Sequence, residues 1–216
     1  MKLKVCGMKY PGNVNAVAAL SPDYMGFIFY KPSKRYCAET LTPEFVKALP
    51  GSIIKTGVFV NESLEEVLRI CSEYEFKAIQ LHGHETPDFC LSCKKAGLEV
   101  IKVFHVGETM DWSILQPYKK VADYFLFDTK TPEYGGSGNR FNWEILKEYD
   151  NEIPLFLSGG VDESILIELN TLQTVNICAF DVNSRFELEP GLKDVERIKK
   201  FKSSLMLKAQ GLKLRS

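Results

Sequence analysis

Met25-Gly26-Phe27-Ile28-Phe29 is apolar at every position, and its reading decides the fold. A strand with one wet face alternates apolar and polar residues. An unbroken short apolar run between turn signals instead reads as a strand buried on both faces, as in a parallel sheet covered by helices. Tyr124-Phe125-Leu126-Phe127-Asp128 repeats the pattern and ends on a carboxylate. Working outward, comparable runs predict strands over 3–6, 24–29, 54–60, 78–81, 100–104, 124–128, 155–158 and 178–182. Helices are predicted between them, over 14–20, 43–49, 62–73, 87–96, 112–119, 143–149, 163–169 and 192–201. Thr42 and Pro43 supply an N-cap and a first helical position. Leu64, Val67, Leu68 and Cys71 share one helical face, and Gly97 supplies a C-terminal stop.

Eight strand–helix units in 216 residues predict a closed (β/α)8 TIM barrel in a single domain spanning 1–216. Residues 203–216 read as a frayed helical extension or tail with solvated charges. The rival, an open doubly wound sheet, has about five or six strands and often a glycine-rich first turn. The first turn here is Cys6-Gly7-Met8-Lys9, without that fingerprint.

With 45% hydrophobic and 25% charged residues, the chain can fold around a large core without staples. Its net charge of −1 offers no electrostatic case for nucleic acid or membrane partners. Six cysteines follow no compact disulfide pattern, and Met1-Lys2-Leu3-Lys4 leads into a strand rather than a secretory signal. Reduced thiols and a cytoplasmic location are therefore expected.

Two strand ends carry reactive groups. Val5-Cys6-Gly7-Met8 ends the first strand in a thiol, and Phe127-Asp128-Thr129 ends the sixth in a carboxylate. The C-terminal ends of barrel strands are where this architecture keeps its chemistry. Cys6 has a bland alternative as a small buried core residue. Gly7, however, allows a sharp turn there, and neighbouring cations would favour a thiolate. Asp128 follows three apolar residues, so desolvation is expected to raise its pKa and suit it to general acid work. The glycine-rich segment Tyr134-Gly135-Gly136-Ser137-Gly138 that follows reads as a loop covering a site.

Ser158-Gly159-Gly160 after the seventh strand and Asn183-Ser184-Arg185 after the eighth have the positions at which barrels of this type hold a phosphate. Arg35, in Lys31-Pro32-Ser33-Lys34-Arg35, offers a planar fork for a carboxylate or phosphate, or else lies in a solvated loop. His82 and His84 suggest a metal, but no further His or Cys cluster completes a tetrahedral set. His82 is better read as a polar substrate contact. Cys90 and Cys93 fall within a predicted helix and lack a second pair, so they read as core. His105 ends the fifth strand without a role assigned.

Taken together, these segments resemble the phosphoribosylanthranilate isomerase family, a barrel enzyme of tryptophan biosynthesis. The marks run in order from Lys4-Val5-Cys6-Gly7 through Ser33-Lys34-Arg35-Tyr36, Gly57-Val58-Phe59-Val60-Asn61 and Gln80-Leu81-His82-Gly83. They continue through Phe127-Asp128-Thr129 and Leu157-Ser158-Gly159-Gly160 to Pro190-Gly191-Leu192-Lys193-Asp194. The resemblance implies an Amadori rearrangement with Asp128 as general acid and Cys6 as general base. It implies Arg35 at the anthranilate moiety, phosphate at Gly159, Gly160, Asn183 and Ser184, and neither cofactor nor metal. The partner implied is a small phosphosugar, and the family contains monomers and homodimers. The turn Asn183-Ser184-Arg185-Phe186-Glu187 departs from the smaller Ser-Gly-rich turn of many members. Two alternatives stay open: another phosphosugar barrel enzyme, or a non-catalytic barrel that binds a phosphosugar.

Overall fold

The structure, a computed structural model, describes residues 1–129 and 141–213. Eight parallel strands close into a barrel in chain order. They are β1 (Lys2–Cys6), β2 (Tyr24–Ile28), β3 (Ile54–Phe59), β4 (Ala78–Leu81), β5 (Glu99–Val106), β6 (Tyr124–Thr129), β7 (Leu155–Leu157) and β8 (Ile177–Val182). Closure is made by β1 against β8, with Lys4 opposite Asp181 and Val5 opposite Val182.

Alternation of side chains along each strand divides the core in two. Leu3, Val5, Met25, Phe27, Phe125 and Phe127 point outward into the layer beneath the helices. Tyr24, Ala78, Ile101, Leu126, Phe156 and Ala179 form a separate apolar plug within the barrel. The uniformly apolar reading of β2 and β6 reflects this: both faces are buried, each against a different layer.

The helices are α1 (Pro11–Ala19), α2 (Pro43–Lys47), α3 (Leu64–Tyr74), α4 (Pro87–Lys95), α5 (Ile165–Glu168) and α6 (Val195–Lys213). Thr42, Ser63 and Thr86 cap α2, α3 and α4, each accepting from the backbone N–H three residues on. Cys90 and Cys93 are buried on α4, and none of the six cysteines is in a disulfide.

Several expected helices differ. Residues 112–119 and 143–149 give the 3-10 turns Trp112–Tyr118 and Trp143–Glu148. Pro117 lies inside the first and removes a donor that an α-helix needs. Asp111 and Asn142 cap these turns by accepting from the N–H two residues on, which favours the tighter winding. The helix expected over 192–201 starts later. Leu192–Lys193 instead pairs antiparallel with Glu187–Glu189 around the Pro190-Gly191 turn, as β10 against β9. Asp194 then accepts from Arg197 N and opens α6, which continues as helix to Lys213.

Candidate active site

Alternate residues on the barrel's inner face climb from apolar to reactive. On β4 and the residue after it they read Ala78, Gln80, His82; on β6, Tyr124, Leu126, Asp128; on β5, Ile101, Val103, His105; on β8, Ala179, Asp181. On β1 they read Lys2, Lys4, Cys6. The apolar plug therefore carries a polar tier, and above that tier the reactive groups ring the C-terminal mouth.

Cys6 is 3% exposed and ends β1. The chain then turns at Gly7, whose φ of +76° suits glycine, and the N–H groups of Gly7 and Met8 both donate to Gly26 O at 3.0 Å. Gly26 leaves room for the thiol: a Cβ there would lie 2.7 Å from Cys6 Sγ. Burial pushes the thiol above its ordinary range, and the nearby Lys4 and Lys193 ammonium groups offset this only in part. The expectation that cations would favour a thiolate is thus corrected, because desolvation of the sulfur outweighs them.

Asp128 departs from expectation in the other direction. Burial pushes its carboxyl up, but the facing His82 ring and the Thr129 N–H, which donates to Oδ1 at 2.8 Å, prevail and hold it below the ordinary range. His82 Nε2 lies 3.5 Å from Asp128 Oδ2. The resting site therefore holds a neutral thiol and an ionised carboxylate.

Beneath both groups lies a buried polar chain. Lys4 Nζ donates to Asp181 Oδ1 at 2.9 Å and to Gln80 Oε1 at 2.6 Å, and Gln80 Nε2 lies 3.0 Å from His82 Nδ1. Burial opposes the charge on Lys4, but Asp181 and the Cys6 sulfur together outweigh it and keep the ammonium above its ordinary pKa. His105, on the strand beside Asp128, has its ring centroid 5.2 Å from that of His82. Burial and the nearby His82 push the His105 imidazole down. A second buried pair steadies the β4 loop: Lys102 Nζ reaches Glu85 Oε2 at 2.9 Å, and Glu85 accepts from the Gly83 and Asn61 N–H groups.

Arg35 reaches the same rim. Its guanidinium makes a bidentate contact with Glu187, at 2.9 Å from Nε and 2.6 Å from Nη2. Glu187 also accepts from Lys193 Nζ at 2.6 Å, and Lys193 donates to Asn183 Oδ1 at 2.6 Å. Burial brings the Lys193 ammonium down to about 8, against the pull of Glu187. Arg35 and Asn183 crowd Gly7, where a Cβ would lie 2.8 Å and 2.7 Å from them. The Asn183 side chain thus belongs to the Arg35 cluster.

Gly159 and Gly160 turn with φ of +76° and +75° on the other side of the mouth. Gly159 packs on Thr129, the neighbour of Asp128, with a Cβ there 2.6 Å from Thr129 Oγ1. Ser184 opens the 3-10 turn Ser184–Phe186. His84 is exposed while His82 is buried, so the His-x-His pair does not converge. Among the described residues no three His, Cys, Asp or Glu side chains gather as a metal site requires. Nor is any helix among them long and apolar enough to cross a membrane. The glycine-rich segment 134–138 lies outside the described residues.

A family model described as N-(5'phosphoribosyl)anthranilate (PRA) isomerase matches residues 3–204. The chain belongs to the phosphoribosylanthranilate isomerase family. It is 43% identical to the N-(5'-phosphoribosyl)anthranilate isomerase of Phocaeicola vulgatus over 97% of this chain and 100% of that one. The phosphoribosyl anthranilate isomerase of Thermotoga maritima superposes with a TM-score of 0.78 at 33% identity, covering 94% of this chain and 98% of that one. A family structure in complex with reduced 1-(o-carboxyphenylamino)-1-deoxyribulose 5-phosphate superposes with a TM-score of 0.74 at 30% identity, covering 93% and 96%.

Lys4, Gln80, Gly26, Lys193 and Glu187 gather at this mouth although the residue patterns assigned them no role. Lys4, Gln80 and Lys193 each lie in a segment that carries the family resemblance. Lys4 and Gln80 stand two residues before Cys6 and His82 on their strands, the spacing that puts them on the same face.

Proposed function

We propose that the protein isomerises N-(5'-phosphoribosyl)anthranilate to 1-(2-carboxyphenylamino)-1-deoxyribulose 5-phosphate, an Amadori rearrangement in tryptophan biosynthesis. Asp128 gives a proton to the furanose ring oxygen as the bond from that oxygen to C1 breaks. The anilino nitrogen lone pair forms the C1=N bond of a cationic Schiff base. Cys6, as thiolate, takes the proton from C2, and the released electron pair forms the C1=C2 bond and neutralises the nitrogen. The enolamine then gains a proton at C1 and loses its C2 hydroxyl proton to give the ketone, so atoms balance.

Arg35 orients the anthranilate end, and the Gly159-Gly160 and Asn183-Ser184 turns take the phosphate. His82 steadies Asp128. Holding the ligand at both ends keeps C2 between thiol and carboxyl. The protonation pattern adds a condition. The resting thiol and carboxylate share one proton, and the working pair is the same state with that proton moved from Cys6 to Asp128.

The observation that carries this reading is the shared mouth: a thiol and a carboxyl on the inner faces of β1 and β6, linked by buried hydrogen-bonding groups. The test is turnover of the phosphoribosyl anthranilate, read by its fluorescence. Cys6→Ala and Asp128→Asn should each lower kcat by roughly 10²–10⁴-fold with circular dichroism unchanged. Near-normal turnover in either variant removes that residue's role.

A further inference from the structure

Lys4 and Gln80 are shut off from solvent, being 0% and 2% exposed. Their hydrogen bonds leave only one arrangement of protons. An ammonium can only donate, so the Gln80 amide must turn its oxygen to Lys4, where the contact is 2.6 Å. The amide nitrogen, which can only donate, then faces His82 Nδ1 at 3.0 Å. Nδ1 must accept, because a proton on it would meet the amide N–H donor against donor. The proton of the neutral ring therefore lies on Nε2. That atom is buried, with Asp128 Oδ2 at 3.5 Å as its polar neighbour among the described residues.

We propose that Gln80, pinned by Lys4 and Asp181, is a positioning residue that holds His82 in its Nε2–H tautomer, so that the ring turns an N–H rather than a lone pair toward Asp128. The consequence for catalysis rests on the function proposed above. In the opposite tautomer Nε2 would be a base facing the general acid, and would compete with the furanose oxygen for its proton. With Nε2 already protonated, the acid's proton is left for the substrate. Lys4 acts at both ends of the site, since its ammonium also lies beside the Cys6 thiol.

The tautomer can be read without reference to activity. The chain has three histidines, so a two-bond 15N–1H correlation spectrum of the labelled protein, assigned with His82→Gln, resolves each ring. Wild type should show His82 as the Nε2–H form. Gln80→Glu replaces the donor with an acceptor and should move a proton onto Nδ1. It should also lower kcat by about 10²-fold with a much smaller change in KM. The double variant Lys4→Met with Asp181→Leu frees the amide to turn and should give a mixture of tautomers. An Nδ1–H ring in the wild type overturns the proposal, even if Gln80→Glu fails to fold. So does a Gln80→Glu ring unchanged from wild type. A double variant with only the Nε2–H form overturns the part given to Lys4 and Asp181. None of the spectroscopic results depends on whether Asp128 is the general acid, which Asp128→Asn turnover decides separately.

Discussion

On β6, Phe125 and Phe127 face outward into an apolar layer, whereas Tyr124, Leu126 and Asp128 face inward and end in a carboxylate. The same division holds on β1, where Leu3 and Val5 point out while Lys4 and Cys6 point in. The outward set is held by burial and ring packing, such as Phe125 edge-on to Phe104 at 5.0 Å. The inward set above the plug is held by directed polar contacts that fix where protons sit. Apolar packing and the placement of protons thus use adjacent residues of the same strands with little overlap.

The largest effect should come from breaking the inward set at its base. Asp181→Leu leaves Lys4 buried without its counter-ion and should cost about 3–5 kcal/mol in a urea melt. Adding Lys4→Met should restore most of that stability, since an apolar pair often replaces a buried ion pair at little cost. Activity should stay depressed in the double variant. If activity returned along with stability, the distinction between the two sets would fail.

Phe125→Ala tests the outward set. Truncating this buried ring should also cost about 3–5 kcal/mol, yet kcat per folded molecule should change by less than about threefold, because no polar contact at the mouth is touched. A large fall in kcat at full folding would show that the two sets are coupled.

The smallest effect is on pH dependence. Cys6 is raised and Asp128 lowered, so between the two pKa values the pair holds one proton at every pH. The fraction with that proton on Asp128 and a thiolate on Cys6 is then constant. kcat/KM should stay flat through neutrality. It should fall below the ordinary carboxylate range near about 3.9, as Cys6 and Asp128 both become protonated, and above the ordinary thiol range near about 8.5, as both lose their protons. A steady rise through pH 8–9 would instead mean that thiolate forms without Asp128 gaining the proton.

The sequence made the barrel legible because β2 and β6 have no polar outer face, and because reactive residues stand at strand ends. Cys6, His82 and Asp128 could be found by that position alone. The protonation states could not. Nothing near Asp128 in the chain announces His82, which is 46 residues away, and it is this partner that reverses the effect of burial. The Arg35–Glu187–Lys193 cluster was hidden for a related reason. Glu187 and Lys193 come together only through a two-strand hairpin, whereas the sequence places Glu187 in a turn and Lys193 at the start of a helix. The short 3-10 turns were missed because Pro117 and the Asp111 and Asn142 caps act locally, below the resolution of an apolar pattern.

The Lys4–Asp181 contact spans 177 positions of chain, and this has a bearing on biogenesis. As the polypeptide leaves the ribosome, the first strand emerges long before the eighth. Until then the ammonium of Lys4 has no carboxylate beside it and favours a hydrated, open arrangement. The first strand of the barrel is accordingly among the last to be secured, and closure of the ring waits for its final staves.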